Sequence, residues 1–277
     1  MKTVKPSKAR AFAAELNLTN TCRNGQAPRC SRDCPYGLDV RAFIRKLQRG
    51  SMRGAYGALS EQLTFPKIMC SICGAPCLKG CKEELSDAPV NLPALEQAVF
   101  ANSKSSPPRF NVPPKEERIA VVGGGLGGIT CAYVLTTLGY FVELFEAEEE
   151  IGGRLRELFP REEYLPEIMS VIESENLTVK TGMRVESLSE LEGFSAVVIA
   201  TGAGSEALGF EGKALPEKVF VAGEITGVSL PKAVESGKNA ATAIDAYLKI
   251  GAKEEIKLPS GLTPISVEKT EKYEVLT

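Results

Sequence analysis

A glycine run, Gly123-Gly-Gly-Leu-Gly-Gly128, follows directly on the apolar stretch Ile119-Ala-Val-Val122 and opens a segment of helical spacing that reaches Leu138. A buried strand that turns through glycines into a helix is the first half of a βαβ unit, and few other chain paths accommodate it. The rest of this half of the chain alternates in the same way. Strands are expected at Phe141–Phe145, Leu177–Lys180, Ala196–Ala200 and Val219–Ala222, with helices near Pro166–Glu173 and over Pro231–Leu248. Such alternation gives an α/β domain built on a parallel sheet. The polar tail after Gly251 is expected to be extended.

The spacing Gly123-x-Gly125-x-x-Gly128 carries chemistry as well as shape. The first glycine permits the tight turn, the second lets a pyrophosphate approach the backbone, and the third lets helix and strand pack closely. The free N–H groups and dipole of the helix that follows favour negative charge at its start. Glu146 ends the second strand, 18 residues after Gly128. A carboxylate there can accept hydrogen bonds from the ribose hydroxyls of an adenine dinucleotide. A glycine turn without a ligand is the plain alternative, and the register of strand, helix and Glu146 argues against it.

The first hundred residues read differently. Seven of the eight cysteines lie between Cys22 and Cys81, and Cys131 stands alone. They run Cys22-x7-Cys30-x3-Cys34-Pro35, then Cys70-x2-Cys73-x3-Cys77-x3-Cys81. With no signal peptide in view, this clustering points to metal rather than disulfides. A Cys-x3-Cys-Pro ending is a ferredoxin-like signature whose last cysteine serves a second cluster. Short helices are expected over Asp39–Gln48, with Val40, Phe43, Ile44 and Leu47 on one face and Gly50 as a stop, over Met52–Leu63, ending before Pro66, and over Leu92–Phe100. Residues 102–117 hold four prolines and three serines, a linker composition. The domains are therefore expected at 1–110 and 111–277. Cys131 reads as small core packing.

Later motifs narrow the dinucleotide. Ala200-Thr201-Gly202 and Val221-Ala222-Gly223-Glu224 resemble the "ATG" and "GD" segments of two-dinucleotide flavoproteins, in which FAD threads the first domain. The resemblance implies that Glu224, standing where Asp is usual, reaches the ribityl chain, and that the helix opening near Ala233 points its N-terminus at the isoalloxazine edge. Gly152-Gly153-Arg154-Leu155 is similar to the family's loop along the FAD, and Val185 falls where a backbone contact to adenine is implied. Taken singly, each motif favours an ordinary strand-end turn, whereas in this order after the glycine fingerprint they favour FAD. In the family a complete nicotinamide-binding domain is inserted between the two segments. Only 20 residues separate Gly202 from Gly223 here, whereas one βαβ unit needs roughly 30. The nicotinamide domain is thus expected to be missing, and no NAD(P) is expected to bind in this chain.

The cysteine runs resemble the N-terminal two-cluster domain of the glutamate synthase small subunit, of dihydropyrimidine dehydrogenase, and of the large subunit of NADH-dependent ferredoxin:NADP oxidoreductase. The likeness covers roughly residues 15–250 and continues through Pro89-Val-Asn-Leu-Pro-Ala-Leu-Glu-Gln97, similar to the family's "PVNIGAIER". The family's first run is Cys-x2-Cys-x4-Cys-x3-Cys-Pro, and Gly25 occupies its second position. Cys70 is extra and takes a position usually held by Gly. The family connectivity implies one [4Fe-4S] cluster on Cys22, Cys30 and Cys81, with Cys70 expected to complete it. It implies a second on Cys34, Cys73 and Cys77, with Glu96, or failing that Gln97, as fourth ligand. A structural zinc site, vestigial cysteines and a single cluster with spare thiols remain as alternatives.

Composition sets the outer limits. The net charge is −2, so nothing steers the surface toward nucleic acid. No run approaches the ~18 apolar residues of a membrane span, and a soluble cytoplasmic protein is expected. The chain has no His and no Trp, which removes the commonest general base. The expected whole is an α/β protein, a small helical iron–sulfur domain followed by a Rossmann-like FAD domain. It would pass electrons between FAD, two [4Fe-4S] clusters and a partner, either other oxidoreductase subunits or a ferredoxin. A self-contained flavoenzyme acting on a small substrate is the alternative.

Overall fold

The computed structural model describes residues 28–79, 90–103, 112–204, 208–210 and 213–251. Cys22, Gly25, Cys81, the tail after Gly251 and the middle of the expected linker lie outside these residues. The chain divides into two compact units that meet in the sequence near Ser106.

Among its described residues the first unit is helical: α1 (Arg29–Arg32), α2 (Val40–Gln48), α3 (Met52–Ser60), α4 (Pro66–Ile72), α5 (Pro76–Lys79) and α6 (Leu92–Asn102). In α2 the four spaced apolar residues Val40, Phe43, Ile44 and Leu47 are buried, and the Asp39 carboxylate accepts from Ala42 N at 3.0 Å, satisfying one of the free first-turn donors. These side chains form a core with Leu59, Leu92, Leu95 and Val99. From the sequence the second helix is expected to end before Pro66, with no helix directly after it. In the structure α3 ends at Ser60, and Pro66 opens α4 as a first-turn residue, where its missing N–H forfeits no bond. That helix carries Cys70 and is capped by Cys73. Asn91 caps α6, which runs two residues past the expected Phe100.

The second unit contains β1 (Arg118–Val122), α7 (Leu126–Thr137), β2 (Phe141–Phe145), α8 (Leu155–Leu158), α9 (Arg161–Ile172), β3 (Leu177–Lys180), β4 (Ala196–Ile199), β5 (Val219–Val221) and α10 (Leu230–Ile250), with 3-10 turns at Leu188–Leu191 and Gly223–Thr226. All strand pairs are parallel, in the order β3-β2-β1-β4-β5. Residues Ile119–Val122, Ala196–Ile199 and Val219–Val221 are buried throughout, as parallel strands covered on both faces require. The order reverses direction at β1, whose neighbours are β2 and β4, and crevices at such reversals are where ligands sit in open α/β sheets. The helix expected at Pro166 begins five residues earlier. Pro160 caps it, Glu162 and Glu163 suit its positive end, and Pro166 is tolerated inside at the loss of one backbone bond. No helix among the described residues is long and apolar enough to cross a membrane.

Candidate functional site

A cleft of about 1100 Å3 opens at the carboxyl ends of β1, β2, β4 and β5. Its lining includes Gly123, Gly125, Glu146, Gly153, Arg154, Val185, Ala200, Thr201, Gly202, Gly223, Glu224 and Ala233. Gly128 and Leu155 are not part of that lining. A Cβ on Gly128 would strike the carbonyl oxygen of Gly123, so this glycine serves the packing of α7 on β1. Gly123 has φ +113°, and a Cβ there would collide with the Ala200 carbonyl. At Gly125 a Cβ would meet nothing within 4 Å. The cleft is open there, directly before the first turn of α7, as a cradle for a pyrophosphate must be. The Glu146 carboxylate is buried and accepts from Gly124 N at 2.8 Å and from Glu148 N at 2.9 Å. It ties the glycine turn to the end of β2, with lone pairs left for ribose hydroxyls. The volume lies just above the range of ordinary ligand clefts, about 300–1,000 Å3, and suits a dinucleotide.

Two features of the cleft lie outside the sequence motifs. The Arg154 guanidinium forms an ion pair with the Glu224 carboxylate, joining the loop after β2 to the turn after β5. Burial raises the Glu224 carboxyl above its ordinary value, with Arg154 pulling it back. Nothing in residues 70 apart announces such a pair. The second feature is a glycine contact behind the cleft. A Cβ on Gly127 would lie 2.5 Å from Gly223 Cα, and one on Gly237 would strike the Gly127 carbonyl. These glycines let α7, the Gly223–Thr226 turn and α10 touch backbone to backbone. The signal for it was a glycine in the middle of the expected last helix, which usually has a packing reason.

In the first unit the described cysteines gather around Tyr36 and Glu96. The Tyr36 hydroxyl donates to Met69 O at 3.0 Å, which fixes the loop after Cys34 against the last turn of α4. Burial, with Cys73, Cys70, Cys34 and Glu96 nearby, holds the Tyr36 hydroxyl far above its usual range. After Cys73, Gly74 (φ +66°) and Ala75 (φ +46°) turn the chain sharply, and Ala75 N donates to Cys73 Sγ at 3.3 Å. The Cys77 thiol that follows is pushed up to about 12 by burial and by Glu96, Cys73, Cys34 and Cys30. Cys70 and Glu96 are both buried, and the Cys70 thiol is hydrogen-bonded to the Glu96 carboxylate. Burial raises that carboxyl to about 7, with the Cys70 bond pulling the other way. Among the described residues no three such side chains meet closely enough to hold a single metal ion. A cubane cluster takes one ligand at each of its iron corners, so its ligands stand apart. Cys131 is buried in α7, with its thiol raised by burial alone.

Residues 4–106 match the family described as dihydropyrimidine dehydrogenase domain II, 4Fe-4S cluster, and residues 121–185 match the NAD(P)-binding Rossmann-like domain. The chain is 28% identical over 259 residues to NADPH-Fe(3+) oxidoreductase subunit beta of Geobacter sulfurreducens, covering 81% of this chain and 37% of that protein. It is 30% identical over 193 residues to the glutamate synthase [NADPH] small chain of Mycobacterium tuberculosis, covering 66% and 40%. It is 26% identical over 175 residues to the NAD-dependent dihydropyrimidine dehydrogenase subunit PreT of Escherichia coli, covering 60% and 42%. The chain thus spans about two fifths of the length of these relatives. The first part of the chain is thus similar to the dihydropyrimidine dehydrogenase domain II, 4Fe-4S cluster family, and the second part to a Rossmann-like dinucleotide-binding domain.

Proposed function

We propose that this chain is an electron-transfer subunit of a multisubunit oxidoreductase, with FAD in the cleft of residues 111–277 and two [4Fe-4S] clusters in residues 1–110. The observation that carries the reading is the direct parallel pairing of β4 with β5. The 20 residues between Gly202 and Gly223 leave one glycine fingerprint in the sequence, and the cleft among the described residues is built around it. FAD exchanges one or two electrons and clusters relay them singly. With one nucleotide site, exchange with anything else falls to a partner, either further oxidoreductase subunits or a ferredoxin. The names of the relatives, which are oxidoreductase subunits, support this.

The chain's own residues bind and orient. Gly125 and the first turn of α7 receive the pyrophosphate, Glu146 the adenosine ribose, and Val185 the adenine edge. Thr201, Gly202, Gly153, Arg154 and Glu224 line the cleft where they would hold the ribityl chain, and the first turn of α10 at Ala233 would stabilise negative charge on the flavin. Cys22, Cys30 and Cys81 serve one cluster, and Cys34, Cys73 and Cys77 the other. Cys70 and Glu96 stand together as candidates for an open corner. Thiolate clusters of this kind suit a reducing compartment, which favours the cytoplasm.

A second reading places NAD(P) in the same cleft, and the description of the matching Rossmann family favours it. The two separate on the full chain purified without oxygen. We expect one FAD, iron with acid-labile sulfide, and no bleaching of the flavin by NADH or NADPH alone. Bound nicotinamide without flavin would establish the second reading, and stoichiometric zinc without sulfide would overturn the clusters.

A further inference from the structure

We infer that Cys70 is the fourth protein ligand of the cluster served by Cys34, Cys73 and Cys77, and that Glu96 stands behind it as a hydrogen-bond partner rather than as a ligand. The inference rests on the iron–sulfur reading above and reassigns Cys70, which the ligand lost at Gly25 would give to the other cluster.

Three placements carry it. Cys70 and Cys73 lie three residues apart at the end of α4, so their side chains share one side of that helix. Tyr36, two residues after Cys34, is bonded to the carbonyl of Met69, the residue before Cys70. This pins Cys34 beside the same turn. The left-handed pair Gly74–Ala75 then turns the chain so that Cys77 shares the neighbourhood of Cys34, Cys73 and Glu96. Cys30, assigned to the other cluster, is among the neighbours of Cys77, whereas Cys70 is among those of Tyr36.

Cys70 and Glu96 thus compete for one corner, and their chemistry decides it. Thiolate is the ordinary ligand of iron–sulfur iron, and carboxylate suits harder ions. A residue hydrogen-bonded to a ligating sulfur tunes the cluster without binding it. All four ligands of this cluster then come from residues 34–77, and the ligand lost at Gly25 is not made good by Cys70.

The test uses the full chain, purified without oxygen, with iron and sulfide analysis, electron paramagnetic resonance of the reduced protein and a potentiometric titration. Wild type is read first, and absence of iron and sulfide there would sink the iron–sulfur reading itself. Cys70→Ser should remove one cluster or convert it to a three-iron form. Glu96→Ala and Glu96→Gln, which keep Cys70, should retain full iron and sulfide and shift the potential of one cluster only. Combining Cys70→Gly with Gly25→Cys should leave the Cys70 cluster impaired. The inference is overturned if Glu96→Ala loses a cluster while Cys70→Ser keeps both, if neither variant changes iron or potential, or if the double variant restores the wild-type spectrum. Should Cys70→Ser fail to fold, Glu96→Ala alone still decides between the two side chains.

Discussion

Gly125 and Gly128 stand three residues apart in one turn, yet the structure uses them in opposite ways. A side chain on Gly125 would enter open cleft, and one on Gly128 would strike backbone. Gly125→Val should therefore fold with a melting temperature close to wild type, within about the 0.5 kcal/mol typical of a surface change, and fail to retain its dinucleotide. Gly128→Ala should lose both, because overpacking against an unyielding backbone costs about 1–3 kcal/mol or more. Cofactor content set beside a thermal melt distinguishes them. Arg154 and Glu224 make a second pair of linked roles. Burial already holds the Glu224 carboxyl up, and Arg154→Leu removes the opposing guanidinium. A carboxyl with a folded pKa above its unfolded value, about 4.3, contributes less and less to stability as pH rises past that value. The variant should melt below wild type at about pH 8, with the gap closing as Glu224 is protonated toward about pH 5. A gap that stayed constant with pH would show that the pair carries no such linkage.

At the scale of elements, the packing of α7 against α10 is the most extensive helix contact of the second unit, and Gly237 makes it possible. A glycine inside a helix costs about 1 kcal/mol against alanine, so on an open face Gly237→Ala would stabilise. Here the added methyl would press on the Gly127 carbonyl and on Thr130 Cβ at 2.9 Å. We expect a net loss of about 1–3 kcal/mol in denaturant unfolding. A gain in stability would mean that the helices can slide apart without harm.

Across the whole molecule, what could be read in advance was whatever local chemistry dictates. The strands at Phe141–Phe145 and Leu177–Lys180 were legible because short apolar runs between turns have few other uses. Glu146 was legible because its place at the end of β2 follows from the glycine turn's spacing. The helix carrying Cys70 was not, since seven residues starting at a proline give little periodicity to read. The Arg154–Glu224 and Cys70–Glu96 pairs were invisible for another reason: each is made by long-range packing, not by spacing.

The glycine contact behind the cleft also bears on how this molecule breathes. Ligand-binding loops are ordinarily drawn from the least stable parts of a fold, opening many times for each global unfolding. Here the turn is bonded through Gly124 N to the buried Glu146 carboxylate, and the Gly127 carbonyl lies directly beneath α10. It cannot loosen unless that helix lifts. In native-state hydrogen exchange on the ligand-free protein, the amides of Gly124 and Ile129 should therefore exchange as slowly as those of β1, through global unfolding alone. Fast exchange at either would reveal local opening. A cradle this stiff is complete before its ligand arrives, so capture should follow the rate of encounter rather than wait for a loop to close.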